Sequence, residues 1–590
     1  MANSFKEAFR LAGFNSDNLD RGASSAKEAT GTNIGAASRQ AVASPARGGN
    51  PTKPGLTPPA GAPSNRSGVA AVRRTSQASA QTKAPAKGIG ATPQKTKSIA
   101  SSRHPPSRPP REYDIQVLGE PSCTIREHQG SARKLLTDVE GAGRAVQVHT
   151  GETSDDREVV LGLDFGTSCA KVVIGDYVLN KAWAVPFYKP SDIESYLIPS
   201  RLFQTGQQYS LSTGTHEFRD LKLALMADPG ALAVQQRVVA FLALVIRRAR
   251  GWFLNEHRAP FVRTNILWKL SIGLPAALHQ RPELSRLFAG LANAAWTVAG
   301  LPEDVQETSV RSALDENRAG PATTSDVEVT VVPEIAAQIY GFVVSNQFDR
   351  NAANIFLMAD VGSGTVDSSL FHVRSGLGGR YDFEFFTSVV EANGVSNLHR
   401  HRVDWWIKAL TQMGGQQRLV DEVARTKLFT DIGLSIPETF RSYFIGLRPR
   451  FMKNSQDPDE YFFKSRVSSQ VRGRSLWRAW MEGLLKKDVL AGVPFFMCGG
   501  GARMDFYRQL NNALTPQPGF PWLRAVSKTM SVPRDLIAPG VAPLDYDRLS
   551  VAYGLSRLEV GKVVRALPMP KLPPDPTSNW RDHYVDKDLC

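Results

Sequence analysis

The chain has 590 residues, enough for two or three domains, with a formal net charge of +15. The charge is uneven: residues 1–111 hold 17 Lys/Arg against 4 Asp/Glu and the remainder carries only +2, so the basic balance does not mark the folded part as a nucleic-acid-binding fold. Cys123, Cys169, Cys498 and Cys590 lie far apart with no paired spacing. That argues against a disulfide framework or zinc site and suits a reducing, cytoplasmic setting. No run reaches the roughly 18 apolar residues of a membrane span, and no apolar signal core opens the chain.

At the N-terminus, Ser4 and Glu7 form a capping box, and Phe5, Ala8, Phe9 and Ala12 share one helical face. The spacing predicts a short helix over 4–14, either transient and solvated or a docking motif that folds on a partner. Residues 21–111 are Ala/Ser/Gly/Pro/Thr-rich and nearly free of acids, too poor in apolar surface to fold. They read as a flexible basic tether, with weak polyanion or nucleic-acid contact as the alternative. Residues 112–157 contain strand-like pieces such as 113–118 and read as the end of this disordered tail, 1–157.

From 158 the pattern is globular. The run 159–164 carries Asp164 into a small-residue turn of Gly166, Thr167 and Ser168, and a second apolar run follows. This predicts a β-hairpin whose tip approaches an anion, since glycine lets backbone come close and successive amides form an anion-binding nest. An ordinary structural hairpin is the alternative. Helices are predicted over 231–255, 285–299 and 334–344, and strands over 266–274 and 327–332. Such alternation indicates an α/β fold.

The hairpin logic repeats at 355–373, where Asp360 enters the turn Gly362, Ser363, Gly364, Thr365 and Asp367 closes it. Two hairpins about 196 residues apart suggest a duplicated domain with a ligand between the halves. Small turns would grip a polyphosphate from both sides. Asp164, Asp360 and Asp367 would hold a hydrated Mg²⁺, which prefers carboxylates through retained waters. At 495–510 an apolar strand runs into Gly499, Gly500, Gly501, Ala502 and Arg503. There backbone can approach a flat ring and an arginine can stack on a base.

These stretches, in this order, resemble the actin-like ATPase superfamily over about 158–565. The likeness is nearest to the nucleotide-binding domain of the seventy-kilodalton heat-shock chaperones. The octapeptide 360–367 is similar to their DxGGGTxD loop, 272–276 to their strand ending in VPA, 499–503 to their GGSTR adenosine loop, and LSVAYGLS at 549–556 to their last connecting helix, whose AxG lets two helices pack closely. Sugar kinases share the DFGTS opening but not the GTxD loop. The resemblance implies two lobes, 158–352 and 353–565, around an ATP/ADP cleft, with a short tail over 566–590.

It also implies roles. Asp164, Asp360 and Asp367 organise Mg²⁺ and the attacking water. Gly166, Thr167, Ser168, Gly362, Ser363, Gly364 and Thr365 line the phosphates, and Gly499, Gly500, Gly501 and Arg503 meet the adenosine. Lys222 orients water near the γ-phosphate, unless it is a solvated surface lysine. Glu334 polarises that water, although Pro333-Glu334 departs from the chaperones' Glu-Pro order and is closer to some bacterial actins. Glu422 and Arg425 resemble an ExxK adenosine clasp, or form an ordinary helical charge pair. The expected activity is ATP hydrolysis by a chaperone-like switch acting through protein partners, without room for a peptide-binding domain after 565. The alternatives are an ATP-binding pseudo-ATPase scaffold, an actin-like filament protein, and a small-molecule kinase.

Overall fold

The computed structural model describes residues 112–125, 133–137, 139–148, 151–319, 327–428, 436–453 and 455–567. The expected tail over 1–111, its helix at 4–14, and 568–590 lie outside them. The described chain is a mixed α/β fold carrying two large sheets.

In the first sheet, Asp155–Phe165 pairs antiparallel with Cys169–Asp176, and that strand with Lys181–Ala184. Thr264–Leu274 adds in parallel beside Asp155–Phe165, and Val327–Pro333 in parallel beside that. Leu536–Ile537 lies parallel beyond Lys181–Ala184. The second sheet is built the same way. Ile355–Val361, Val366–Ser375 and Tyr381–Glu391 form the antiparallel centre. Ala491–Cys498 and Arg524–Lys528 add in parallel on one side, Val560–Arg565 in parallel on the other. Strand order and strand senses therefore match between the sheets. Central strands covered on both faces need continuous apolar runs rather than alternation. That is why residues 159–165 are all buried.

Helices Leu232–Glu256 and Pro282–Gly300 pack on each other within the core of the first sheet. Arg247, fully buried on the first of them, donates to the carbonyls of Val298, Ala299, Leu301 and Glu303. It satisfies the carbonyls that the second helix leaves open at its C-terminus. Helices Glu334–Val343 and Ser550–Arg557 cross where a Cβ on Gly554 would stand 1.9 Å from the Ala337 carbonyl oxygen. Backbone meets backbone there, as the AxG motif led one to expect.

Among the described residues, structure is present before 158: Tyr113–Cys123 is a strand paired with Phe444–Phe451, and Val139–Ala142 packs against Leu232–Glu256. The two halves are also not contiguous in sequence. Leu536–Ile537 joins the first sheet, and Ser550–Arg557 packs on its hairpin, with Ala552 and Ser556 backbone filling the space where Gly162 lacks a Cβ.

Candidate functional site

Both hairpins put a carboxylate at the end of their first strand, opposite a charged residue on the second. Asp164 faces Lys171 in register, and Asp360 faces Asp367. Lys171 Nζ lies 2.8 Å from Asp164 Oδ2. Burial alone would lower the Lys171 ammonium, but the Asp164 carboxylate outweighs it and holds it raised. Opposite Asp360 in register stands Asp367 rather than a cation. Burial, with the Glu334 and Asp164 charges, pushes the Asp360 carboxyl up to about 7. Burial, again with Glu334, pushes Asp367 up to about 8, against one hydrogen bond from the Ala276 amide at 3.1 Å.

Lys222 is the second residue of the helix Leu221–Ala227 and is buried, not a solvated surface lysine. Its Nζ donates to Glu334 Oε1 at 2.5 Å. Glu334 opens its helix directly after Pro333, which ends the parallel strand and stands at the N-cap with φ −59° and ψ 125°. Its side chain occupies space left by Gly273, whose Cβ would sit 2.8 Å from Glu334 Cγ. Burial pushes the Glu334 carboxyl up, with the Lys222 charge opposing.

One cleft of about 330 Å³ gathers these groups. Asp164, Gly166, Thr167, Ser168 and Lys222 line it, as do Asp360, Gly362, Ser363, Thr365, Gly499, Gly500 and Gly501. Gly364 touches the opposite turn instead: its Cβ would be 2.9 Å from Thr167 Cγ2 and from Leu223 Cδ1. The carbonyls of Gly362, Ser363 and Gly364 accept from Val395, Ser396 and Gly394 at the head of helix Val395–Met413. Among the described residues, the N–H groups of Ser363, Gly364 and Thr365 have no protein partner. Gly499 has φ 85°, and a Cβ there would collide with Asp360 Oδ1 at 2.2 Å. Only glycine allows that approach.

Asp367 and Glu334 stand behind the lining, bound to Ala276 and Lys222. Arg503 is also a step back: it donates to Asp545 at 2.9 Å and to Asp547 at 2.7 Å, and Asp547 lines the cleft. Glu422 and Arg425 are not brought to it. Their helix, Gln417–Arg425, turns Leu419 and Val423 into a separate apolar cluster, leaving Glu422 paired with Arg418 and Arg425 exposed.

The cleft also holds residues not singled out in the sequence: Lys171, Gln338, and Glu194 paired with Arg548 at 2.6 Å. Lys171 had a signal. It follows Asp164 by the same seven residues that separate Asp367 from Asp360. Glu194 and Arg548 are 354 residues apart and had none.

No family model matches the chain, and no curated protein matches it.

The lining joins small turns to buried acids, residue types that could hold an anion and a hydrated cation. The turn at 363–365, with its unpaired amides, suits an anion. Gln338 Oε1 is buried without a hydrogen-bond partner and lies on the cleft wall, an acceptor awaiting a bound molecule. Among the described residues no three acidic, His or Cys side chains are placed to hold a metal directly. Magnesium bound through its waters asks for no such cage.

Proposed function

We propose that the chain is a Mg-ATP-binding, ATP-hydrolysing switch of the actin-like ATPase type, chaperone-like and acting through protein partners. The observation that carries the reading is the meeting, in one cleft, of two Asp-tipped hairpins from two sheets of matching strand order with a third glycine turn. That match supports a duplicated actin-like fold. Among the described residues no helix is long and apolar enough to cross a membrane.

The polyphosphate would lie between the turns at 166–168 and 362–365, and the adenosine against 499–501. Mg²⁺, held through water by Asp164 and Asp360, would supply charge neutralisation at the β- and γ-phosphates. Lys171 adds positive charge beside Asp164. Lys222 and Glu334 hold the attacking water. As its oxygen bonds to the γ-phosphorus, Glu334 accepts its proton, and the bond from phosphorus to the β–γ bridging oxygen breaks with its electron pair leaving on ADP. Positioning and charge account for most catalysis of this kind.

Glu334→Gln keeps the shape and removes the base. It is expected to slow ATP turnover about 100-fold or more while ATP binding is retained. Phosphate release measured beside equilibrium binding checks this. Equal turnover in the variant overturns the catalytic assignment, and a wild-type chain that binds without turnover is a pseudo-ATPase.

A further inference from the structure

Among the described residues, three that are not glycine hold a positive φ: Asn180, Asp220 and Asn354. Asp220 is the one beside the site. It heads helix Leu221–Ala227, two residues before Lys222, with φ 53° and ψ 33°. A residue in that position is ordinarily extended, and its side chain caps the first free amides of the helix. The Asp220 carboxylate makes no such bond. It turns away and accepts from Arg400 Nη2 at 3.2 Å instead. A left-handed backbone outside glycine persists only where its surroundings hold it, and such residues gather at functional sites.

Arg400 comes from the other half, on helix Val395–Met413. Leu398 of that helix belongs to the core of the second sheet, whereas Leu221, Leu223 and Leu225 of the Lys222 helix belong to the core of the first. The same guanidinium reaches back along its own helix: Nη1 donates to Asn397 Oδ1 at 3.4 Å. Asn397 is buried and donates to the Gly364 carbonyl at 2.6 Å. Gly364 lies in the second hairpin's turn, and its missing Cβ makes room for Leu223. Burial pushes the Asp220 carboxyl up and the Arg400 guanidinium down, and each partner's charge opposes the shift of the other. Removing one member of such a pair leaves the other charge buried and uncompensated.

One run of contacts thus joins the turn at 362–365 to Lys222 and Glu334. It passes from Gly364 to Asn397, Arg400 and Asp220, then along the backbone to Lys222, then to Glu334. We propose that Arg400 is a positioning residue, which ties the seating of that turn to the placement of Lys222 against Glu334. This rests on the proposed function and adds to it a means by which the turn that holds the phosphates sets the pair that holds the water. Arginine suits the task because its planar fork serves two acceptors at once, whereas a lysine offers a single point of charge. Asparagine visits the left-handed region readily, so Asp220→Asn removes the charge without adding backbone strain.

Two readouts test this in the full chain, on Arg400→Ala, Asp220→Asn and the double variant. The first needs no ligand. Lys222 is 5% exposed, so its acetylation by an N-hydroxysuccinimide ester, mapped by mass spectrometry, reports how firmly it is held. The expected result is acetylation at least about tenfold faster in each single variant and no faster still in the double, because both changes break the same link. Labelling of Lys171 and the thermal midpoint stay unchanged. An unchanged Lys222 rate, a further gain in the double variant, or equal acceleration at Lys171 overturns the assignment. The second readout is ATP turnover beside ATP affinity. In Arg400→Ala, kcat is expected to fall about tenfold with affinity held within about twofold, and Arg400→Lys should not restore it. Affinity that falls as far as kcat, or full recovery with lysine, overturns the positioning role. If the parent chain binds or hydrolyses no ATP, the proposed function fails, while the Lys222 labelling still decides the link.

Discussion

At the scale of single residues, the second hairpin is the more strained of the two. Asp164 has Lys171 opposite; Asp360 has another acid, Asp367. Both acids of the second hairpin are buried with carboxyls pushed up, to about 7 and about 8. A carboxyl raised in the folded state keeps a proton that the unfolded chain gives up, so it makes stability fall as pH rises from the ordinary carboxylate range through the raised value. Without nucleotide or divalent cation, the thermal midpoint is expected to fall from pH 6 to pH 8.5, by up to ~1.4 kcal/mol of stability per pH unit for each group still protonated. Buried His399, lowered to about 4, acts on the other side, costing stability only as pH drops below the ordinary histidine range. Asp367→Asn should raise the midpoint at pH 8 and flatten the slope; a slope as steep as the parent's would show that the charge crowding lies elsewhere. The same replacement should raise the midpoint less near pH 5 than at pH 8, because only the part of the loss between the ordinary carboxylate range and pH 5 has accrued there.

At the scale of elements, glycine decides how closely the parts approach. Gly554 brings Ser550–Arg557 onto Glu334–Val343, and Gly162 and Gly175 receive the other side of the same helix. Gly554→Ala has no flexible atom to push aside, only the Ala337 backbone. It is expected to cost about 1–3 kcal/mol, read by urea unfolding, whereas Gly151→Ala, with nothing within 4 Å, should be neutral. A silent Gly554→Ala would mean that the helices separate freely. This crossing was legible because AxG is a local signal. So were the hairpins, whose apolar runs and small turns lie within twenty residues of each other. Tyr113–Cys123 was not. It is half exposed, with Val117 and Leu118 facing solvent, and its partner strand lies more than 300 residues away. The misplacement of Glu422 and Arg425 has a local cause: Leu419 and Val423 set the buried face of that helix, and an ExxR charge pattern carries no information about which way it turns.

At the scale of the whole molecule, the two sheets match in order and sense although their loops differ in length and content. Matching sheets that place hairpin tips at one cleft give a site whose shape depends on the relation between two bodies. Under the proposed function, a small change at the bound phosphates would become a change in angle between the sheets. Chain order hid part of this plan, since Leu536–Ile537 and Ser550–Arg557 return to the first half late in the sequence.

The central claim is that the cleft binds Mg-ATP between the two hairpins. It is tested most directly by titrating the full chain with ATP in a calorimeter, with and without Mg²⁺, beside Asp360→Ala. The expected result is a single site on the parent chain that weakens when Mg²⁺ is withheld, and that weakens at least about tenfold in the variant while the variant stays folded. No heat and no ATP-dependent rise in thermal midpoint for the parent chain, or binding untouched by Asp360→Ala, would contradict it.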